Sequence, residues 1–217
     1  MAKGARKPVD QNGRALGPRA LQTRQRLLEA TAALLEERAL RDISVVEIAR
    51  KVETSPATFY QYFRDVADAT AQLAEQAGAE IPALVAKIAE AWTGRAGFEA
   101  ARALVEGFID HWDAHRAVLR IRNLASEEGD RRFQKARRDS TQPVLDGLAA
   151  KVKQAQEAGR LSPRIHPYAA AAALASMLER LAAFHRELQA FGVTREDLVE
   201  TCARILVQST TGRAATD

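Results

Sequence analysis

The sequence predicts an all-α protein, with a small three-helix head followed by a larger helical body and nine to ten helices in all. Three observations carry this. Ala, Leu, Glu and Arg abound while aromatic residues make up 6% of the chain, a composition that favours helix over sheet. Apolar residues recur at three- and four-residue steps, as on one face of a helix, and no alternating strand pattern or internal repeat interrupts them. Helix-start signals at Ser44 and Ser55 punctuate the first third.

The first 19 residues are rich in Gly, Pro, Lys and Arg and are read as a disordered basic arm. From Ala20 to about Arg38, Leu21, Leu27, Leu28, Thr31, Leu34 and Leu35 share one helical face. Ser44-Val45-Val46-Glu47 is a capping box, in which the Ser44 hydroxyl accepts from the third helical N–H and Glu47 reaches back to the Ser44 N–H. The short helix it opens turns Val45, Ile48, Ala49 and Val52 inward. Ser55 caps the next helix, with Pro56 at its first position, where the missing N–H costs nothing. That helix ends near Tyr62, and Asp65 caps the following one. One long helix is then expected from Val66 to Trp92, bent at Pro82. Further helices are expected over about 98–114, 116–126, 130–158 (bent at Pro143), 167–190 and 194–210. The domain division is 1–19 arm, 20–65 head and 66–217 body.

Bulk properties narrow the function. The chain has 217 residues, 47% of them hydrophobic, enough to bury a sizeable core. No apolar run reaches the roughly 18 residues of a membrane span, and no apolar stretch follows the basic start as in a secretory leader. Cys202 is the single cysteine, which excludes an internal disulfide or a thiolate cluster within one chain. The expected location is cytoplasmic. Residues 1–19 carry five basic groups against Asp10, net +4, and residues 20–64 carry seven against six, net +1, which leaves 65–217 at −1 of the chain's total of +4. Excess positive charge at one end suits a polyanionic partner.

Two short helices joined by a tight turn, with a third across them, make a helix-turn-helix. A helix that enters the major groove needs small or hydrogen-bonding outward side chains, and Thr54, Ser55, Ala57, Thr58 and Gln61 answer that description. Tyr60 and Tyr62 carry hydroxyls suited to phosphate oxygens. The capped helix starts at Ser44 and Ser55 offer N–H groups to phosphate. Phe59 and Phe63 would seat the helix on the core.

Residues 24–66 resemble the DNA-binding head of the tetracycline-repressor (TetR) family. The resemblance rests on Arg26-Leu27-Leu28-Glu29-Ala30-Thr31, on Ser44-Val45-Val46-Glu47-Ile48-Ala49, and on Ser55-Pro56-Ala57-Thr58-Phe59-Tyr60-Gln61-Tyr62-Phe63. Two positions depart from the family pattern. Ala57 stands where Gly is frequent, and Val66 stands where many members place a phosphate-binding Lys, so Arg64 is the candidate for that role. The resemblance implies a repressor that binds a near-palindromic operator as a homodimer and is released by a small effector. It implies no cofactor and no catalytic residue.

The implied dimer helices are the last two. Leu174, Met177, Leu178, Leu181, Phe184 and Leu188 form one apolar stripe, and Val199, Cys202 and Leu206, with Leu198 and Ile205, form another. Such stripes could also pack into the core, but a helix-turn-helix that reads a palindrome as a dimer favours the interface. Candidate effector-binding residues are Trp92, Phe98, Phe108, Trp112, His115, Leu119 and Asn123, an apolar wall with a few polar groups. The same residues could fill a plain core, and Arg122 and Asn123 could instead pair with Glu127, Glu128 or Asp130. The aromatic wall points to a small hydrophobic effector. His111 and His115 stand at a metal-compatible spacing, but no His-Glu-x-x-His or Glu-x-x-His accompanies them, and no metal is expected. No nucleophile elbow supports hydrolase chemistry. The near-neutral head argues against sequence-blind DNA coating, whose affinity is mostly phosphate charge.

Overall fold

A computed structural model describes Gln11 and residues 13–213. The elements in order are α1 (Pro18–Glu37), a 3₁₀ turn (Leu40–Asp42), α2 (Val45–Lys51), α3 (Pro56–Tyr62), α4 (Val66–Gly78), α5 (Ile81–Ala89), α6 (Gly94–Ala114), α7 (Arg116–Glu127), α8 (Arg131–Glu157), α9 (Pro167–Phe184), a second 3₁₀ turn (Glu187–Phe191) and α10 (Arg195–Thr211). No β-strand occurs among the described residues. Up to residue 10 the expected basic arm lies outside the described residues, and helix already begins at Pro18.

The chain forms two compact units. One takes the sequence through Gln76 together with Ala117–Ala136, and the other takes Ala77–Arg116 with Arg137–Asp217. The first unit therefore holds more chain than the expected head of 20–65. Its core joins Leu27, Leu28, Leu34 and Leu35 of α1 to Ile48, Val52, Phe59 and Phe63, and Ala69, Ala74, Val118 and Ala136 belong to the same cluster. Ala117 and Ile121 of α7 pack against it. Polar ties reinforce the cluster. Arg26 donates to the Val52 carbonyl at 3.0 Å, pinning α1 to the end of α2. The Arg132 guanidinium bridges Asp65 at 3.0 Å and Asp130 at 2.7 Å, which holds the start of α8 to the cap of α4.

In the second unit α6 is central, with α5, α9 and α10 packed along it. α5 lies close to two helices. A Cβ at Gly107 would stand 2.5 Å from the Leu84 side chain, and one at Gly147 would stand 3.0 Å from that of Ile88, so a side chain at either position would have to displace its neighbour. The expected single helix from Val66 to Trp92 is two. α4 ends at Gly78, and Pro82 sits in the first turn of α5 rather than bending a continuous helix. The reason is that proline at a helix start lacks only a donor that would have no partner there.

The terminal stripes split between core and surface. Leu174, Leu178, Val199, Cys202 and Leu206 are buried within the single chain, so these five interface candidates face its own core. Met177, Leu181 and Leu188 are half-buried, and Phe184 is exposed with the Arg180 guanidinium 3.8 Å from its ring centre. The outward face of α9 instead carries Ala169, Ala172, Ala173 and Ser176, and that of α10 carries Thr201, Ile205, Gln208 and Ser209.

Candidate functional site

The capping box at Ser44 forms as its spacing requires. Glu47 N–H donates to Ser44 Oγ at 3.3 Å, while Ser44 N–H and Oγ–H donate to Glu47 Oε2 at 3.0 and 2.8 Å. Arg38 adds an ion pair to Glu47 at 2.9 Å. The Arg38 hydrogen bond first, then those from Ser44, hold the Glu47 carboxyl down to about 2. The Ser44 hydroxyl is thus engaged in the cap, and what this helix start presents outward is its backbone N–H edge. Between α2 and α3 the chain turns through Glu53, whose φ of 57° is left-handed, a conformation unusual for any residue but glycine.

Ser55 caps α3, accepting from Thr58 N–H at 3.2 Å, and its hydroxyl lies 3.1 Å from that of Thr58. Phe59 and Phe63 are fully buried, with ring centres 5.2 Å apart. The opposite face presents Ser55, Ala57, Tyr60 and Gln61 as exposed side chains, with Thr54 and Thr58 half-exposed. Tyr60 is 53% exposed. Tyr62 is not part of that face. At 7% exposure it belongs to the head core, because it follows Phe59 by three residues and shares that residue's side of the helix. Arg64 is exposed, but its guanidinium pairs with Asp68 at 2.8 Å and its N–H donates to the same carboxylate at 3.1 Å. A phosphate contact by Arg64 would compete with that pair.

Two features were not legible in the sequence. Gln11 N–H donates to the Gln61 carbonyl at 3.0 Å, and the Gln11 amide donates to the Tyr62 carbonyl at 2.9 Å, so the segment before α1 caps the end of α3. Arg24 lies over the Phe63 ring, 5.5 Å from its centre.

The effector candidates behave less uniformly. Leu119 and Asn123 belong to the unit that holds the head, and the other five to the second unit. Trp92 is buried, its indole N–H donates to the Lys87 carbonyl at 2.9 Å, and Lys151 Nζ sits 4.5 Å from its ring centre. Lys151 also donates to the Glu90 carbonyl at 2.6 Å, and burial pushes its ammonium down to about 8. Phe98 is buried with the Arg204 guanidinium 5.0 Å from its ring centre. Trp92 and Phe98 thus already have cations on their faces. Phe108 is half-buried on α6. Trp112 differs: it is 5% exposed, yet its indole N–H has no hydrogen-bond partner among the described residues. Asn123 Oδ1 accepts from Arg122 Nε at 3.0 Å.

His115 and His111 both turn toward one carboxylate. Glu80 Oε2 lies 3.2 Å from His111 Nδ1 and 2.9 Å from His115 Nε2. Partial burial of Glu80 opposes its ionisation, but the hydrogen bonds and charges of His115 and His111 together outweigh this and hold its carboxyl below the usual range. The histidine pair is visible in the sequence, whereas Glu80, 31 residues before His111, carries no spacing signal.

Among the described residues no helix is long and apolar enough to cross a membrane. Residues 83–217 match the family described as "Tetracyclin repressor-like, C-terminal domain", and residues 27–68 match "Bacterial regulatory proteins, tetR family". No curated protein matches the sequence. Solved structures share the fold. The fatty acid degradation regulator FadR from Bacillus halodurans is 16% identical, with 89% of this chain and 97% of that one aligned at a TM-score of 0.65. FadR from Bacillus subtilis, solved in complex with stearoyl-CoA, is 14% identical over 87% and 98% of the two chains at 0.63. SmeT, the repressor of the Stenotrophomonas maltophilia multidrug efflux pump SmeDEF, is 15% identical over 89% and 91% at 0.60. The chain therefore belongs to the TetR family of bacterial regulatory proteins, DNA-binding transcriptional regulators rather than enzymes.

Proposed function

We propose that the protein is a cytoplasmic repressor that holds a near-palindromic operator as a homodimer and is released by a small hydrophobic molecule. The observation that carries the DNA reading is the exposed polar face of α3, set on a core by Phe59 and Phe63. Tyr60 binds a phosphate, and Gln61 and Thr58 meet base edges, with Thr54, Ser55 and Ala57 at the helix entry and N–H groups at the starts of α2 and α3 adding phosphate contacts. The basic arm expected ahead of the head adds positive charge for phosphate. Two-fold symmetry follows from how a helix-turn-helix reads half-sites. The small-residue face of α9 and the outward face of α10, flanked by Phe184, suit a close helix-on-helix contact with a second copy. The hydrophobic effector is supported by the unpartnered indole N–H of Trp112 beside Phe108 on α6, and by the acyl ligand of the Bacillus subtilis FadR structure.

Selection of binding sites from random duplexes, followed by sedimentation of the complex, tests the DNA reading. A near-palindrome bound by two chains is expected, and one chain per selected site overturns the dimer. Long-chain acyl compounds should then weaken operator binding by about 5- to 150-fold, the usual range of coupling between two sites. Trp112→Phe, which keeps an aromatic ring but removes the N–H, should reduce that response while leaving effector-free operator affinity unchanged. Equal release in the wild type and the variant places the effector elsewhere.

A further inference from the structure

The end of α6 holds a cluster that DNA binding does not use. His111 and His115 stand one helical turn apart, with ring centres separated by 5.0 Å. Glu80, the residue that caps α5, meets both from another helix. Glu80 Oε2, His111 Nδ1 and His115 Nε2 all lie within 4.8 Å of one another. All three residues belong to the same compact unit.

We propose that Glu80, His111 and His115 form a binding site for a divalent transition-metal ion of the zinc type, which clamps the start of α5 to the end of α6. The argument is geometric. Zinc–nitrogen and zinc–oxygen bonds of roughly 2.0–2.2 Å set neighbouring ligand atoms about 2.9 Å apart around an octahedral ion and about 3.4 Å apart around a tetrahedral one. The two oxygen–nitrogen separations, 3.2 and 2.9 Å, fall within that range. The carboxylate oxygen thus already stands at ligand-to-ligand distance from each imidazole nitrogen, and all three atoms lie within 4.8 Å of one another.

The donor set selects the ion. Two imidazoles and one carboxylate suit Zn²⁺, Co²⁺ or Ni²⁺, whereas Ca²⁺ and Mg²⁺ prefer all-oxygen sites. Exposure is graded across the cluster. The His111 side chain is 8% exposed, that of His115 27% and that of Glu80 55%, so the site is anchored on the buried side and open to water on the other. Three protein ligands with an open position is an arrangement zinc commonly adopts. Without an ion the same atoms are joined by hydrogen bonds, each histidine placing an N–H on the carboxylate. A metal replaces those two protons and uses the freed lone pairs.

Cobalt titration of the untagged full-length protein, stripped with chelator beforehand, tests the site. The expected result is one equivalent of Co²⁺ per chain with a visible ligand-field band, displaced by Zn²⁺, and a rise in melting temperature on adding Zn²⁺. Glu80→Gln and His115→Ala should each weaken binding at least about tenfold, in keeping with the 10- to 100-fold losses seen even for outer-shell partners. Both variants should keep the helical circular-dichroism signal, because both side chains are at least partly exposed. His166→Ala, on the loop before α9, should bind as the wild type does. Absence of a saturable band, or a band that persists in Glu80→Gln and His115→Ala, overturns the site.

Discussion

The head and the body differ in how far their aromatic residues reach the surface. In the head, Phe59 and Phe63 are fully buried, with Arg24 over the Phe63 ring, and Tyr60, next to Phe59, points into solvent. A short helix with so sharp a division has one face for stability and one for recognition. In the body, Trp92, Phe98 and Trp112 are all buried, and two of the three carry a cation on the ring. There Lys151, itself buried, lies on the Trp92 ring, while Arg204 on Phe98 keeps much of its side chain in solvent. An aromatic cluster in a sequence is therefore an ambiguous sign of a ligand site: at Trp92 and Phe98 the cations already present fill that role, and Trp112 keeps an unmet donor.

Substitutions can break this contrast. Phe59→Ala should have the largest effect, about 3–5 kcal/mol of stability lost through an unfilled cavity, together with DNA binding, and a calorimetric melt reads it. A loss under about 1 kcal/mol would mean that the head core is not closed as described. Lys151 sharpens the body's side. Its ammonium is held near 8 in the folded chain against an ordinary 10.5. Between those values the unfolded chain binds more protons than the folded one, so stability rises with pH across that window, by up to about 3 kcal/mol. Denaturant melts from pH 8 to 10.5 should show the rise in the wild type and lack it in Lys151→Met.

Tyr60→Phe addresses the recognition face. It should leave the melting temperature unchanged and weaken binding to every operator variant alike, by about 1.5–3 kcal/mol, the value of a hydrogen bond to a charged group. Gln61→Ala should instead relax preference at one base pair. If both merely scale affinity, the division of labour on α3 is wrong. The smallest effect belongs to Glu53→Gly. Relief of a left-handed non-glycine residue stabilises the turn, and the more flexible unfolded chain takes part of this back, so the gain should be at most about 1 kcal/mol. A loss of stability would show that the Glu53 side chain contributes more than its backbone strain costs.

Elements whose determinants are close in sequence were legible. Ser44 and Glu47 are three residues apart, as are Ser55 and Thr58, and both caps form. The Tyr62 hydroxyl suits a phosphate, but its three-residue spacing from Phe59 puts it on the buried side. The stripes on α9 and α10 divide between core and surface for a different reason. A helix that packs on its own chain and offers a small-residue face to solvent has its large apolar residues inward, so Leu174, Leu178, Val199, Cys202 and Leu206 mark the core. Glu80 and Lys151 acquire their roles from partners far along the chain or on other helices, which no local spacing encodes.

The head's core is assembled from distant parts of the chain, and this bears on how the protein is made. Phe59 and Leu27 share their cluster with Val118 and Ala136, so the amino-terminal unit is not contiguous in sequence. A ribosome that has released residues up to Gln76 has delivered most of that unit but not its last wall. At about 5–20 residues per second, the remaining stretch to Ala136 takes roughly 3–12 seconds. Throughout that interval part of the apolar surface of α1 and α4 lacks its cover. The nascent head should therefore be a chaperone client until α7 emerges, and a fragment cut at residue 65 should be recovered as aggregate rather than as a minimal DNA-binding domain.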